Sequence, residues 1–217
     1  MPNALGPSFF IILVITVVGW FALGTQRNVR KGNDALRWLQ DGLKVLGEKA
    51  NLRWLGSSVV ELTIPLAKEP FRQAEVVVVL EPRDVPFLWW YYRARGRRDL
   101  LIIRGQLRST PGFEFEALDR RCWMTQAAGK QLRLRDWNSV TLPESSPLVA
   151  YTEGDTPPAT RLLEAVAWPG CTPVRLRIRR TGVHLEVHWN LADIQNISAR
   201  EVLAAIARIS ELTATSR

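Results

Sequence analysis

An uncharged, almost wholly apolar stretch near the start of the chain constrains the fold more than any other feature. No side chain from Met1 to Gln26 is charged, and Phe9 to Leu23 reads FFIILVITVVGWFAL. A helix crossing a bilayer core needs about 20 predominantly apolar residues, which Leu5 to Thr25 supplies. Arg27, Arg30 and Lys31 follow at once, so positive charge flanks the run on one side only. That asymmetry predicts a short extracytoplasmic tail (1–7), a transmembrane helix (8–26) and a cytoplasmic C-terminal domain. The anchor is expected to consist of Phe9, Phe10, Ile11, Ile12, Leu13, Val14, Ile15, Val17, Val18, Trp20, Phe21 and Leu23. Trp20 and Phe21 suit an interfacial aromatic belt. A cleaved signal peptide would carry its basic residues before the apolar run, where this chain has none, although Ala22 and Gly24 resemble a cleavage site. A buried core helix would show a polar stripe, and this run has none.

The rest of the chain is long enough for one medium domain or two small packed ones. Of the 217 residues, 47% are hydrophobic and 23% charged, which excludes a disordered tail. The net charge of +8 is mostly arginine, and favours anionic headgroups or nucleic acid as partners. A basic balance is also what a domain beside the cytoplasmic face of a membrane carries by topology alone. Cys122 and Cys171 lack CxxC spacing and read as free structural thiols.

Asn33 and Asp34 predict the cap of a juxtamembrane amphipathic helix within 27–48, with Ala35, Leu39, Leu43 and Leu46 on one face. Strand patterns follow in a β-rich part, 49–142. They cover Leu52–Leu55, Val59–Ile64, Ala74–Leu80, Leu100–Leu107, Phe113–Leu118, Leu132–Arg135 and Ser139–Leu142. Four consecutive valines, Val76 to Val79, suit a strand covered on both faces. The turn Ser109-Thr110-Pro111-Gly112 predicts that the strands on either side of it form a hairpin. The stretch 143–158, rich in Pro, Ser, Glu and Thr, reads as a linker. The last part, 159–217, predicts a helix to Trp168 and strands Val174–Arg180 and Val183–Trp189 joined by the two-residue loop Thr181-Gly182. A helix capped by Ser198, with Glu201 completing a capping box, closes it. The fold class is therefore α+β: one transmembrane helix, then mixed helices and an antiparallel sheet, ending in a β-hairpin and a helix.

Two constellations are candidates for function. Phe87-Leu88-Trp89-Trp90-Tyr91-Tyr92 precedes Arg93, Arg95, Arg97 and Arg98. Aromatic rings beside arginine suit either a membrane interface or stacking on unpaired bases with arginine on phosphates; a buried aromatic segment with a basic turn is the bland alternative. In the C-terminal hairpin, strand pairing sets Arg175 against His188, Arg177 against Glu186 and Arg179 against His184. The two histidines and Glu186 share a face, but three facing arginines oppose a cation and argue against a metal site. That face is expected to be solvated or to bind phosphate groups of RNA or lipid. Glu114 and Glu116 are expected to face solvent. No Gly-rich phosphate loop, GxSxG, HExxH or zinc spacing occurs. The chain is thus read as a non-enzyme with no cofactor and no small-molecule substrate.

The order of these features resembles the calumin family, single-pass proteins of the endoplasmic reticulum that assist insertion of multipass membrane proteins. The resembling residues are the span, Arg30-Lys31-Gly32-Asn33, the Trp-bearing ALRWLQDGLKVL, and Arg97-Arg98-Asp99-Leu100-Leu101, then the helix, hairpin and helix up to Leu212. The stretch LLIIRGQL reads as a strand here, whereas the family's segment looks helical. The resemblance implies an accessory protein of membrane-protein biogenesis, a chaperone-like partner of the bilayer, the insertion machinery or a ribosome. A membrane-anchored scaffold or envelope-associated interaction domain is the alternative.

Overall fold

The computed structural model describes residues 5–133, 137–143, 146–153 and 159–215. It is a mixed α+β structure: a long apolar helix leading into a nine-stranded antiparallel sheet with helices packed against it. Helix α1, Leu5–Gln40, is a single unbroken rod. Asn33 and Asp34 do not cap a second helix, because the helical hydrogen bonding continues through them. The predicted juxtamembrane helix is the far end of α1, followed by a 3-10 turn at Leu43–Val45. The expected boundary at residue 26 is a change of surroundings, not of backbone.

The strands are β1 Asn51–Leu55, β2 Val59–Ile64, β3 Phe71–Val79, β4 Leu100–Leu107, β5 Glu114–Asp119, β6 Asn138–Val140, β7 Leu148–Glu153, β8 Arg175–Ile178 and β9 Leu185–Asn190. Their spatial order is β1-β2-β3-β4-β9-β8-β5-β7-β6. The remaining helices are α2 Pro86–Ala94, α3 Trp123–Arg133, α4 Ala159–Glu164, α5 Leu191–Ile194 and α6 Ala199–Thr215.

One sheet face carries the main core. Val76, Val78, Leu101, Ile103, Leu176, Val187 and Trp189 meet Ala35 and Leu39 of α1 and Val202, Ile206 and Ile209 of α6. Trp189 is fully buried, and its indole donates to the Val166 carbonyl at 3.0 Å. Val77, Leu100, Ile102 and Val174 form a smaller cluster on the opposite face, so the valine run is covered on both sides because alternate side chains point to opposite faces.

Four expectations are corrected. β4 and β5 do not pair: β4 lies between β3 and β9, and β5 between β8 and β7. A turn signal marks a reversal of the chain but does not specify which strand comes to lie alongside. Leu132 belongs to α3 instead of a strand, while 134 and 135 of that segment lie outside the described residues. The stretch read as a linker contains β7, whose register with β5 runs from Glu114↔Glu153 to Asp119↔Leu148; its residues 144, 145 and 154–158 lie outside the described residues. The β8–β9 register is as read, from Arg175↔His188 to Ile178↔Leu185. Its loop is wider, however: after one further bond from Arg179 N–H to the His184 carbonyl, Arg180 to Val183 turn the chain.

Candidate membrane-proximal site

Helix α1 has two surroundings. Phe9 to Leu23 leaves large apolar side chains exposed along its first half. Ser8–Gln40 contains an 18-residue window of mean hydropathy 2.2, long and apolar enough to cross a membrane. The second half is built into the domain: Asn28, Ala35 and Leu39 are fully buried.

The junction is a buried polar cluster. Asp99, just before β4, accepts from the Arg83 guanidinium at 2.9 and 2.8 Å, from the Glu81 amide at 2.7 Å and from the Lys31 ammonium at 2.9 Å. Asn28 donates to the Glu81 carbonyl at 3.0 Å and accepts from Arg83 at 3.1 Å. Glu81, 2% exposed, takes the Trp89 indole at 2.6 Å and Arg93 at 3.1 Å. Burial alone would raise the Asp99 carboxyl. The hydrogen bonds from Arg83, Glu81 and Lys31 outweigh it and hold the group below its ordinary 3.8. This cluster ties α1, the start of β4 and the approach to α2 into one body.

The aromatic run forms α2, a helix opened by Pro86 at its first turn. Trp89 and Arg93, four residues apart, face inward to Glu81. Phe87, Trp90 and Tyr91 face outward, and none of α2 is buried. Phe87 is 83% and Trp90 71% exposed. The helix is held beside α1: Trp20 donates to the Arg83 carbonyl at 3.0 Å, and its ring lies 6.4 Å from that of Trp89. Gly24 makes this approach possible, since a Cβ there would collide with the Arg83 and Asp84 backbone. Arg95 lies over Tyr91 at 4.3 Å and Arg97 over Tyr92 at 5.0 Å, both cation–π contacts. Arg98 donates to the Arg93 and Arg97 carbonyls. Among the described residues, Arg95, Arg97 and Arg98 make no ion pair, so three guanidinium charges remain uncompensated beside the exposed aromatic face.

The second constellation lies elsewhere and is differently partnered. Glu114 and Glu116 do not face solvent. Glu116, 1% exposed, receives Arg175 and Arg179 at 2.5 Å each, and Glu114 receives Arg179 at 2.9 Å. These carboxylates stand across from β8 because β5 is its neighbour, and the sequence order concealed that pairing. Glu186 accepts from Arg104 at 3.0 Å and lies 2.8 Å from His188. Burial would raise Glu186, but His188, Arg104 and Arg175 overcome it and bring the carboxyl down to about 2. The face read as solvated or phosphate-binding is thus largely an internal ion-pair layer. Arg177 is the exception: among the described residues it makes no salt bridge and its buried Nε has no hydrogen-bond partner, and it lines a cavity of about 370 Å³ with Arg175, Arg179, Glu114 and Glu116.

Among the described residues no cluster of His, Cys, Asp or Glu could hold a metal ion. Cys171 is buried, and burial together with nearby Asp193 pushes its thiol up to about 11. Of the junction cluster, Asn28, Glu81 and Arg83 were not singled out from sequence, and Asp99 figured only in the segment of family resemblance, with no structural role. The available signal was a lone carboxylate, Asp99, directly before the apolar run LLII, and an asparagine one turn past the apolar stretch. No protein-family model matches the chain, and no curated protein matches it.

Proposed function

We propose that the chain is a single-pass membrane-anchored accessory protein of membrane-protein biogenesis, with its N-terminus outside and its domain held against the cytoplasmic face. One observation carries this reading. α1 is an uninterrupted helix whose first half is bare and apolar while its second half is part of the domain core. A domain so joined cannot swing on a linker, and it stays at a fixed height and angle beside the span. The basic residues Arg27, Arg30 and Lys31 on the domain side support the cytoplasmic orientation. A cleaved leader fits poorly. Cutting near Ala22–Gly24 would sever a continuous helix and remove Trp20, which bonds to the Arg83 carbonyl. The resemblance to the calumin family supports the choice of biogenesis over a passive scaffold. The uncompensated Arg95, Arg97 and Arg98 supply charge for headgroups or ribosomal RNA. The chain is proposed to act by position and not by catalysis.

Affinity purification of the full chain in mild detergent tests this. Insertion-machinery or ribosomal components should co-purify, in a salt-dependent way, and less so from the combined variant Arg95→Glu, Arg97→Glu, Arg98→Glu. Recovery of envelope proteins alone, unaffected by charge reversal, would replace this function with that of an anchored scaffold.

A further inference from the structure

Helix α2 is inside out for a helix in water. Its inward positions, Trp89 and Arg93, make polar contacts to Glu81. Its outward positions, Phe87, Trp90 and Tyr91, follow helical spacing and present an exposed aromatic stripe. A contiguous exposed apolar face implies a partner. The contacts with α1 say which partner. Trp89 packs at the level of Trp20, and the Arg83–Asp84 backbone at the level of Gly24. The first charged residue of α1 is Arg27, seven positions beyond Trp20. At 1.5 Å rise per residue the Trp89 ring sits about 10 Å toward the apolar end from that charge, at the depth of the interfacial belt where Trp and Tyr rings settle. Arg95, Arg97 and Arg98, which make no ion pair among the described residues, follow at the end of α2, where anionic headgroups would lie.

We infer that α2 is a second membrane-contact element, an interfacial helix that inserts Phe87, Trp90 and Tyr91 into the leaflet beside α1 with its arginines on anionic headgroups. It rests on the reading of α1 as a span and deepens it, naming lipid in place of RNA or protein as what the aromatic run meets. The hydrogen-bonded Asp99–Arg83–Asn28 cluster ties the approach to α2 to α1 and makes the insertion rigid. Amphipathic interfacial helices of this kind bind through buried apolar area plus attraction to anionic lipid.

The test uses the full chain in vesicles of phosphatidylcholine and phosphatidylglycerol. Single cysteines for an environment-sensitive fluorophore are introduced as Ile12→Cys, Trp90→Cys or Leu66→Cys in a Cys122→Ala background. The buried Cys171, with its raised thiol, remains unlabelled. Leu66 is 83% exposed, just beyond the end of β2 far from α2, and serves as the water-facing control. Positions 12 and 90 should both show blue-shifted emission and quenching by nitroxide lipids, position 12 most by nitroxides deep in the acyl chain and position 90 most by those near the headgroup, with position 66 unquenched. Quenching at 12 without quenching at 90 would overturn the inference and leave the anchor standing. A blue-shifted but unquenched label at 90 would show α2 against protein, and would overturn it too. No quenching at 12 would remove the anchor reading itself.

Discussion

At the scale of single residues, two buried carboxylates organise the molecule. Asp99 gathers Arg83, Lys31 and the Glu81 amide, and Glu116 gathers Arg175 and Arg179. Removing one partner of such a buried set leaves the others charged and unpaired, at a cost of about 3–5 kcal/mol. Asp99→Ala and Glu116→Ala should each lower stability on that scale, measured by denaturant unfolding in detergent. Removing the partially exposed Arg95 should leave stability almost unchanged. Acid sensitivity follows from Glu186. Its carboxyl is depressed from 4.5 to about 2, so the folded state binds its proton less readily than the unfolded chain. The associated stability is present above pH 4.5 and is lost as pH falls toward 2. Asp99 and Glu114 are lowered as well and act in the same direction. An acid unfolding profile of Glu186→Gln should lack the part of this loss that belongs to Glu186; an unchanged profile would count against the ion pair's role.

Elements were legible where local pattern decides them. Val59–Ile64 matches its strand because its side chains alternate and Pro65 ends it; Leu100–Leu107 matches because the apolar run LLII lies between the charges Asp99 and Arg108. Ser198 caps α6 through a bond to the Glu201 amide, but the Glu201 carboxylate is taken by the Trp168 indole instead of closing the box. The misreadings came from long range: β5 finds β8 and β7 across the sheet, and β7 is a strand because β5 and β6 flank it. The aromatic segment could not be assigned from sequence as strand or helix, since bulky rings suit both. Its docking depends on Gly24, for which a side chain would meet backbone atoms that cannot rotate away. Gly24→Val should therefore separate α2 from α1 and destabilise the junction by about 1–3 kcal/mol, the usual cost of overpacking. The change would be visible as altered Trp fluorescence and a lowered Tm.

Across the whole molecule, helices α1 and α6 and the main core lie on one sheet face, and the ion-pair layer on the other. Amphipathic strands made the existence of an antiparallel sheet readable. The order of its strands was not, because nothing in β4 or β5 alone says that the C-terminal strands lie between them. If the domain is fixed to the bilayer through both α1 and α2, Gly24→Val should loosen its orientation while leaving it membrane-bound, measurable by fluorescence transfer from the domain to a lipid-borne acceptor. The strand order has a temporal consequence as well. β4 and β5 are neighbours in the chain, yet each waits for β9 and β8, which arrive only after residue 174. During N-to-C-terminal synthesis the β4 edge stays open until then, a template for wrong strand pairing. Such non-local closure is slow, so a chain in which α1 had already entered a membrane would spend its assembly half-finished until α6, made after the sheet, packed on α1.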